Sequence, residues 1–147
     1  HAASGGRLVP RENLHVTVAF LGDVERSRLA ELGPIAERST AAAFELVLDR
    51  IGYWPHNRIV HAGAALTPAA LTMLYETLTL GLAQAGFHTE APAYRPHVTL
   101  LRDARGAPAA TGVEPLAWRV DALVLAASAR SQGRQLYRPL QRWTLPA

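Results

Sequence analysis

Two tripeptides in this chain place an imidazole and a hydroxyl two positions apart: His15-Val16-Thr17 within NLHVTVAFLG, and His97-Val98-Thr99 within YRPHVTLL. His-Val-Thr occurs nowhere else in the 147 residues, which hold six histidines. On a strand, residues i and i+2 project from one face, so each copy sets a histidine beside a threonine. If two such strands meet, the set becomes two imidazoles and two alcohols. Cleaving a phosphodiester needs a base for the attacking water or hydroxyl and an acid for the leaving oxygen. Imidazole, with an unperturbed pKa of about 6.5, serves either way near neutrality. The threonine hydroxyls can donate to non-bridging phosphate oxygens and hold the phosphorus between the rings. One copy alone would be an ordinary polar strand face. The recurrence, 82 positions on (15 to 97), points to one site built from two related halves.

The elements that must carry these motifs are legible in the hydrophobic pattern. In NLHVTVAFL the apolar Leu14, Val16, Val18 and Phe20 alternate with His15, Thr17 and Ala19, which predicts a strand with an apolar back. In PHVTLL, Val98 and Leu100 oppose His97 and Thr99 in the same way. Between them, VERSRLAELGPIAERS carries Leu29, Leu32, Ile35 and Ala36 at helical spacing, with Gly33-Pro34 expected to bend or restart the helix. FELVLDRIG and RIVHAG, joined by YWPHN, predict a hairpin. TPAALTMLYETLTLGLAQAG predicts a helix with Thr67 as N-cap, Pro68 in the first turn and Gly86 as stop, and a stripe of Leu71, Leu74, Tyr75, Leu78 and Leu82. DARGAPAATGVEP is a Gly/Pro-rich loop, and LAWRVDALVLAAS and RQLYRPLQRWTL read as two closing strands turning at Ser131-Gln132-Gly133. Mixed strands and helices make the class α+β, in one domain over residues 1–147.

Composition narrows the chemistry. With no cysteine there is no disulfide framework, thiolate metal site or cysteine nucleophile. No His-x-His, His-Glu-x-x-His or carboxylate cluster suggests a metal site, so no metal or cofactor is expected. There is no Walker loop, dinucleotide fingerprint or Gly-x-Ser-x-Gly elbow. The net charge is +3, and all 15 positive residues are arginine. Arginine's planar fork suits phosphate, although a genomic base-composition bias would produce the same usage. No apolar run reaches the roughly 18 residues of a membrane span, and no secretory layout is visible. A soluble, cytoplasmic monomer without an obligate protein partner is the expectation.

At this point the chain resembles the 2H phosphoesterase superfamily, whose His-x-Thr-x pattern, with an apolar last residue, both copies fit. More narrowly, ENLHVTVAFLGDV, YRPHVTLLRDAR and GRQLYRPLQRWTL resemble the bacterial RNA 2′,3′-cyclic phosphodiesterases, also called 2′-5′ RNA ligases. The resemblance runs from about Val9 to Leu145, with order, spacing and flanks in agreement. It implies a two-lobed fold, with antiparallel sheets flanking a central cleft and helices outside, and an enzyme acting without metal on RNA ends. His15 and His97 would be catalytic, and Thr17 and Thr99 would bind the phosphate. The implied reaction opens a 2′,3′-cyclic phosphate to a 2′-phosphomonoester, with reversible 2′-5′ ligation as its counterpart. In the preferred assignment His97 is the base toward water and His15 the acid toward the departing 3′ oxygen; the reverse order stays open.

The resemblance also implies a short apolar strand and a helix ahead of the first motif. This chain opens at HAASGGRLVP, which resembles the tail of that helix, so about 25 to 30 residues of the family pattern are not in it. Arg102, three past Thr99, and Arg130, in SARSQGR, are further candidates for phosphate contact, each against the reading of an exposed, solvated arginine. Tyr94, Trp54 and Phe20 are candidates for stacking on a base; Phe20 is expected in the core and Trp54 packed at its turn. His56, His61 and His88 fall outside the doubled pattern and are read as surface or packing residues, although His61 could face the groove. Two other functions fit the same pattern: a non-catalytic RNA-end or nucleotide-binding module, and a 2H phosphoesterase acting on another cyclic nucleotide or a 2′-5′ linkage. Phosphate binding alone is more naturally met by arginine and backbone donors than by a histidine pair.

Overall fold

A computed structural model of the chain describes residues 4–39, 41–89, 93–109, 112–131 and 134–147. They fall into two compact units, each assembled from three stretches of sequence. The first takes His1–Thr17, Leu46–Thr67 and Arg95–Trp118; the second takes Val18–Glu45, Pro68–Tyr94 and Arg119–Ala147.

The first unit is built on a five-stranded sheet of β1 (Arg7–Leu8), β2 (Phe44–Trp54), β3 (Ile59–Gly63), β4 (His97–Arg102) and β5 (Gly112–Val120), in the order β1-β4-β3-β2-β5. The predicted hairpin is β2 and β3, antiparallel from Arg50↔Gly63 to Trp54↔Ile59. The second motif's strand, β4, lies in the sheet interior, antiparallel to β3 on one side and to β1 on the other. Strand β5 takes the far edge, where the missing N–H of Pro115 is tolerated. It begins inside the stretch read as a loop, and LAWRV belongs to it rather than to the strand that follows. One face of the sheet is apolar, with Val60, Leu101 and Ala104 buried against Ile51 and Tyr53.

The second unit holds helices α1 (Leu29–Arg38) and α2 (Ala69–Gln84) and the long antiparallel hairpin of β6 (Ala122–Ser131) and β7 (Arg134–Thr144). Residues 132 and 133 of the expected turn lie outside the described residues. Leu32, Ile35, Leu78, Leu82 and Phe87 form the core, with Leu123 and Leu125 of β6 packed on it. Helix α1 runs through Gly33-Pro34 instead of restarting. The stripe on α2 is as read, with Leu71, Leu74, Leu78 and Leu82 buried. Its start is different: Pro68 occupies the N-cap position with no side-chain cap, so Thr67 does not cap it. Its end is a Schellman motif. Gly86 at φ +76° donates to Ala83, and Phe87 N–H to Leu82, satisfying the last carbonyls. The Arg28 guanidinium adds a bond to the Ala85 carbonyl at 2.7 Å and lies 4.0 Å above the Phe87 ring. Tyr75 stacks on Tyr94 at 4.2 Å and 7°, and burial pushes the Tyr94 hydroxyl up to about 12. Among the described residues no helix is long and apolar enough to cross a membrane.

Candidate active site

The first His-x-Thr copy is not in a strand. After β1 pairs with β4 (Arg7↔Arg102, Leu8↔Leu101) and Val9 N–H bonds to the Leu100 carbonyl at 2.9 Å, Arg11–Asn13 leave the edge in a 3₁₀ turn. The chain then returns to the same edge of β4 through one antiparallel bridge, Val16↔Val98. The expected continuous apolar back is absent: Leu14 is 40% and Phe20 60% exposed, so Phe20 is not a core residue.

That single bridge joins the middle residues of the two tripeptides. Val98 is buried on the apolar side, and a residue directly opposite it shares its face. His15, Thr17, His97 and Thr99 therefore project together on the other side. Antiparallel pairing centred on Val16↔Val98 sets His15 across from Thr99 and Thr17 across from His97. The two histidines stand on the diagonal, where neighbouring residues are roughly 7–8 Å apart and their Cβ atoms somewhat closer. Each alcohol is thus the neighbour of both imidazoles, one along its own chain and one across.

The two rings are held alike. His15 Nδ1 is 2.7 Å from the Asn13 carbonyl oxygen, and His97 Nδ1 is 2.7 Å from that of Arg95. A carbonyl only accepts, so each Nδ1 carries the proton, and Nε2 is the atom through which each neutral ring takes or later gives one. Both histidines and Thr99 are half-buried, and Thr17 is exposed.

Beyond Thr99 the register of β4 against β3 slips. Val60 pairs with Leu101 and His61 with Thr99, so two steps on β4 oppose one on β3. This bulge keeps Leu101 on the apolar side with Val60 and, by alternation, turns Arg102 to the side of His97 and Thr99. Arg102 is exposed. Its neighbour Asp103 is engaged elsewhere, accepting from Arg7 at 2.8 Å and Arg58 at 3.1 Å, and these cations hold its carboxyl below the ordinary carboxylate range. The result is a cluster with more guanidinium than carboxylate at the end of β4. Arg130 pairs through its backbone with Gln135 in the β6–β7 hairpin, and its side chain lies outside the described residues.

The sequence gives His61 a surface or packing role, with the groove open to it, and the structure makes it a packing residue beside His97. It sits opposite Thr99 on β3, so Thr99 has His61 on one flank and His15 on the other. Its ring stacks on Trp54 at 4.0 Å and 27°, and its centroid is 5.7 Å from that of His97. Trp54 also meets His97 at 4.5 Å and 77°, so it packs into the site and not merely at its turn. Burial first and the neighbouring His97 second pull His61 below the usual imidazole value. The legible signal was Gly52 within FELVLDRIGYW, because glycine inside a strand marks a close approach. His56 and His88 are exposed. Among the described residues no three His, Cys, Asp or Glu side chains gather as a metal-binding group.

The chain is similar to proteins of known name. Residues 2–132 match the family described as the 2′-5′ RNA ligase superfamily. The chain is 37% identical over 143 residues to the RNA 2′,3′-cyclic phosphodiesterase of Escherichia coli, covering 95% of this chain and 80% of that one. It is 30% identical to the enzyme of the same name from Aeropyrum pernix, over 74% of this chain and 65% of that one. Among solved structures, E. coli LigT complexed with 3′-AMP superposes with a TM-score of 0.88 at 35% identity, covering 95% of this chain and 81% of that one. A crystal structure named as a phosphoesterase gives 0.90 at 36% identity, covering 97% and 82%. Paired His-x-Thr motifs, an α+β fold and sequence likeness along nearly the whole chain agree: it belongs to the 2′-5′ RNA ligase superfamily.

Proposed function

We propose that this chain opens 2′,3′-cyclic phosphates at RNA ends and leaves 2′-phosphomonoesters. The observation that carries the reading is the Val16↔Val98 bridge, which makes two distant tripeptides into one face with crossed histidine–threonine neighbours. The E. coli relative bears the name of this activity.

The phosphorus sits between the two imidazoles. His97 Nε2 takes a proton from water as the water oxygen bonds to phosphorus. The P–O3′ bond breaks, and His15, protonated at Nε2, gives its proton to the departing 3′ oxygen. The P–O2′ bond survives, so the product is a 2′-phosphate with a free 3′ hydroxyl. Thr17 and Thr99 donate to the non-bridging oxygens, whose charge grows in the transition state. Arg102 and Arg130 supply cationic contacts to the phosphate or the adjoining backbone. In 2′-5′ ligation a 5′ hydroxyl takes the place of water and the histidines keep these duties; they exchange them when the 2′-5′ bond is cleaved back to the cyclic phosphate. No step calls for a cofactor or a metal.

The test is to give the protein, in EDTA, an oligoribonucleotide ending in a 2′,3′-cyclic phosphate and to locate the phosphate by ³¹P NMR. A 2′-monoester supports the reading. A 3′-monoester assigns a different bond cleavage, and binding without turnover assigns a binding module.

A further inference from the structure

We infer that His61 is a positioning residue for the imidazole of His97, seated for that purpose over Gly52 and beneath Trp54. The inference rests on the reading of His97 as a proton carrier. It adds a third imidazole that touches neither water nor phosphate in the reaction.

Three strands contribute. Gly52 of β2 lies directly across from His61 of β3, and Gly63, two residues beyond His61, lies across from His97 of β4. A Cβ built on Gly52 would fall 2.5 Å from both Cε1 and Nε2 of His61, closer than real Cβ contacts come. The imidazole therefore fills the space that any other residue at 52 would occupy. Trp54, two positions along β2 and on the same face, covers the ring in a stacked arrangement at 4.0 Å. His97 then meets both rings at steep angles, 77° to Trp54 and 76° to His61. Its Nδ1 bond to the Arg95 carbonyl fixes one atom of the ring. The Trp54–His61 wall limits the remaining rotation, so Nε2 is held in one direction. A pair of packed aromatic rings is stiff in the way a proton carrier's support needs to be.

The neutrality of the ring matters as well as its shape. His61 Nδ1 is buried and has no hydrogen-bond partner. An unpartnered buried acceptor costs less than an unpartnered donor with its proton, so the neutral ring carries its proton on Nε2. As a neutral ring it packs against His97 without adding a second positive charge beside it.

His61→Ala removes the wall, Gly52→Ala displaces the ring from the opposite strand, and His61→Phe keeps an aromatic ring in place. Two readouts are needed: steady-state kinetics on the cyclic-phosphate oligonucleotide, and the ring ¹H–¹⁵N signals of His97 in the ligand-free protein. His61→Ala and Gly52→Ala are each expected to lower kcat about tenfold with KM within about twofold, as misplacement of a reacting group does. Both should move the His97 ring signals, the double variant should be no worse than either single one, and His61→Phe should recover most of the rate. Unchanged kcat and unchanged His97 signals in His61→Ala overturn the inference. A raised KM with wild-type kcat overturns it too, making His61 a substrate contact. Because the ring signals are read without substrate, an inactive wild-type protein would refute the proposed function and leave this inference to be decided by the spectra.

Discussion

The two His-Val-Thr tripeptides have the same sequence and the same Nδ1-to-carbonyl bond, yet they are held by unequal amounts of structure. The second is part of β4, a strand with β3 along one side and β1 along the other. Val98 is 5% exposed, and His97 has the rings of Trp54 and His61 against it. The first lies outside any strand and meets β4 at the isolated backbone bridge Val16↔Val98. Identical side chains with the same ring anchoring therefore do not require identical scaffolding. One imidazole stands within a sheet, and the other stands in a segment that meets that sheet at an isolated backbone bridge.

The largest expected effects break the chemical half of this comparison. His15→Ala and His97→Ala should each lower kcat by about 10²–10⁴, the ordinary worth of a general acid or base, with little change in melting temperature. Wild-type turnover in both variants would remove the two-imidazole mechanism. A substrate with sulfur in place of the bridging 3′ oxygen separates the roles, because a thiolate leaves without needing a proton. It should restore the rate of His15→Ala and not that of His97→Ala; the converse pattern exchanges acid and base.

A smaller effect sharpens the structural half. If the first motif is held by one bridge and the second by a ladder, local opening should separate them. Native-state hydrogen exchange should show the amides of residues 14–18 exchanging at least about tenfold faster than those of β4. Equal protection would mean that the first motif is supported as firmly as the second, and the contrast would fall.

This inequality also explains what could be read in advance. The hairpin Phe44–Gly63 and helix α2 were legible because their burial follows the period of their own residues: Phe44, Leu46 and Leu48 alternate, and Leu71, Leu74, Leu78 and Leu82 repeat helically. NLHVTVAFL has as clean an alternation as PHVTLL, and it is not a strand. Alternation reports which side chains prefer burial, and strand formation also requires a neighbouring edge. Residues 7–9 already occupy the β4 edge opposite Leu100, Leu101 and Arg102, leaving only the place beside Val98. The break at Asp121 between β5 and β6 was hidden for a related reason, since both sides of it are equally strand-like in sequence. The paired histidines and threonines stand out in the sequence because recurrence needs no tertiary knowledge. His61 recurs nowhere, so the sequence leaves it between a surface, a packing and a groove-facing place, and its pairing with Gly52 decides among them.

The smallest effect concerns that third imidazole, and it distinguishes the second motif's surroundings through stability rather than rate. Desolvation and His97 both disfavour the charged form of His61 in the folded protein, so its native value lies below its unfolded value. As pH falls through the unfolded value of about 6.5, the unfolded chain takes up a proton that the native state refuses, and stability declines. The decline levels off only once pH has passed below the depressed native value. Phenylalanine at position 61 cannot be protonated in either state. Chemical denaturation between neutral pH and mildly acidic pH should therefore give a shallower loss of stability for His61→Phe than for the wild type. Parallel curves would mean that His61 is solvated well enough to titrate as it does in the unfolded chain. The neutral ring assigned to the wall beside His97 would then have no basis.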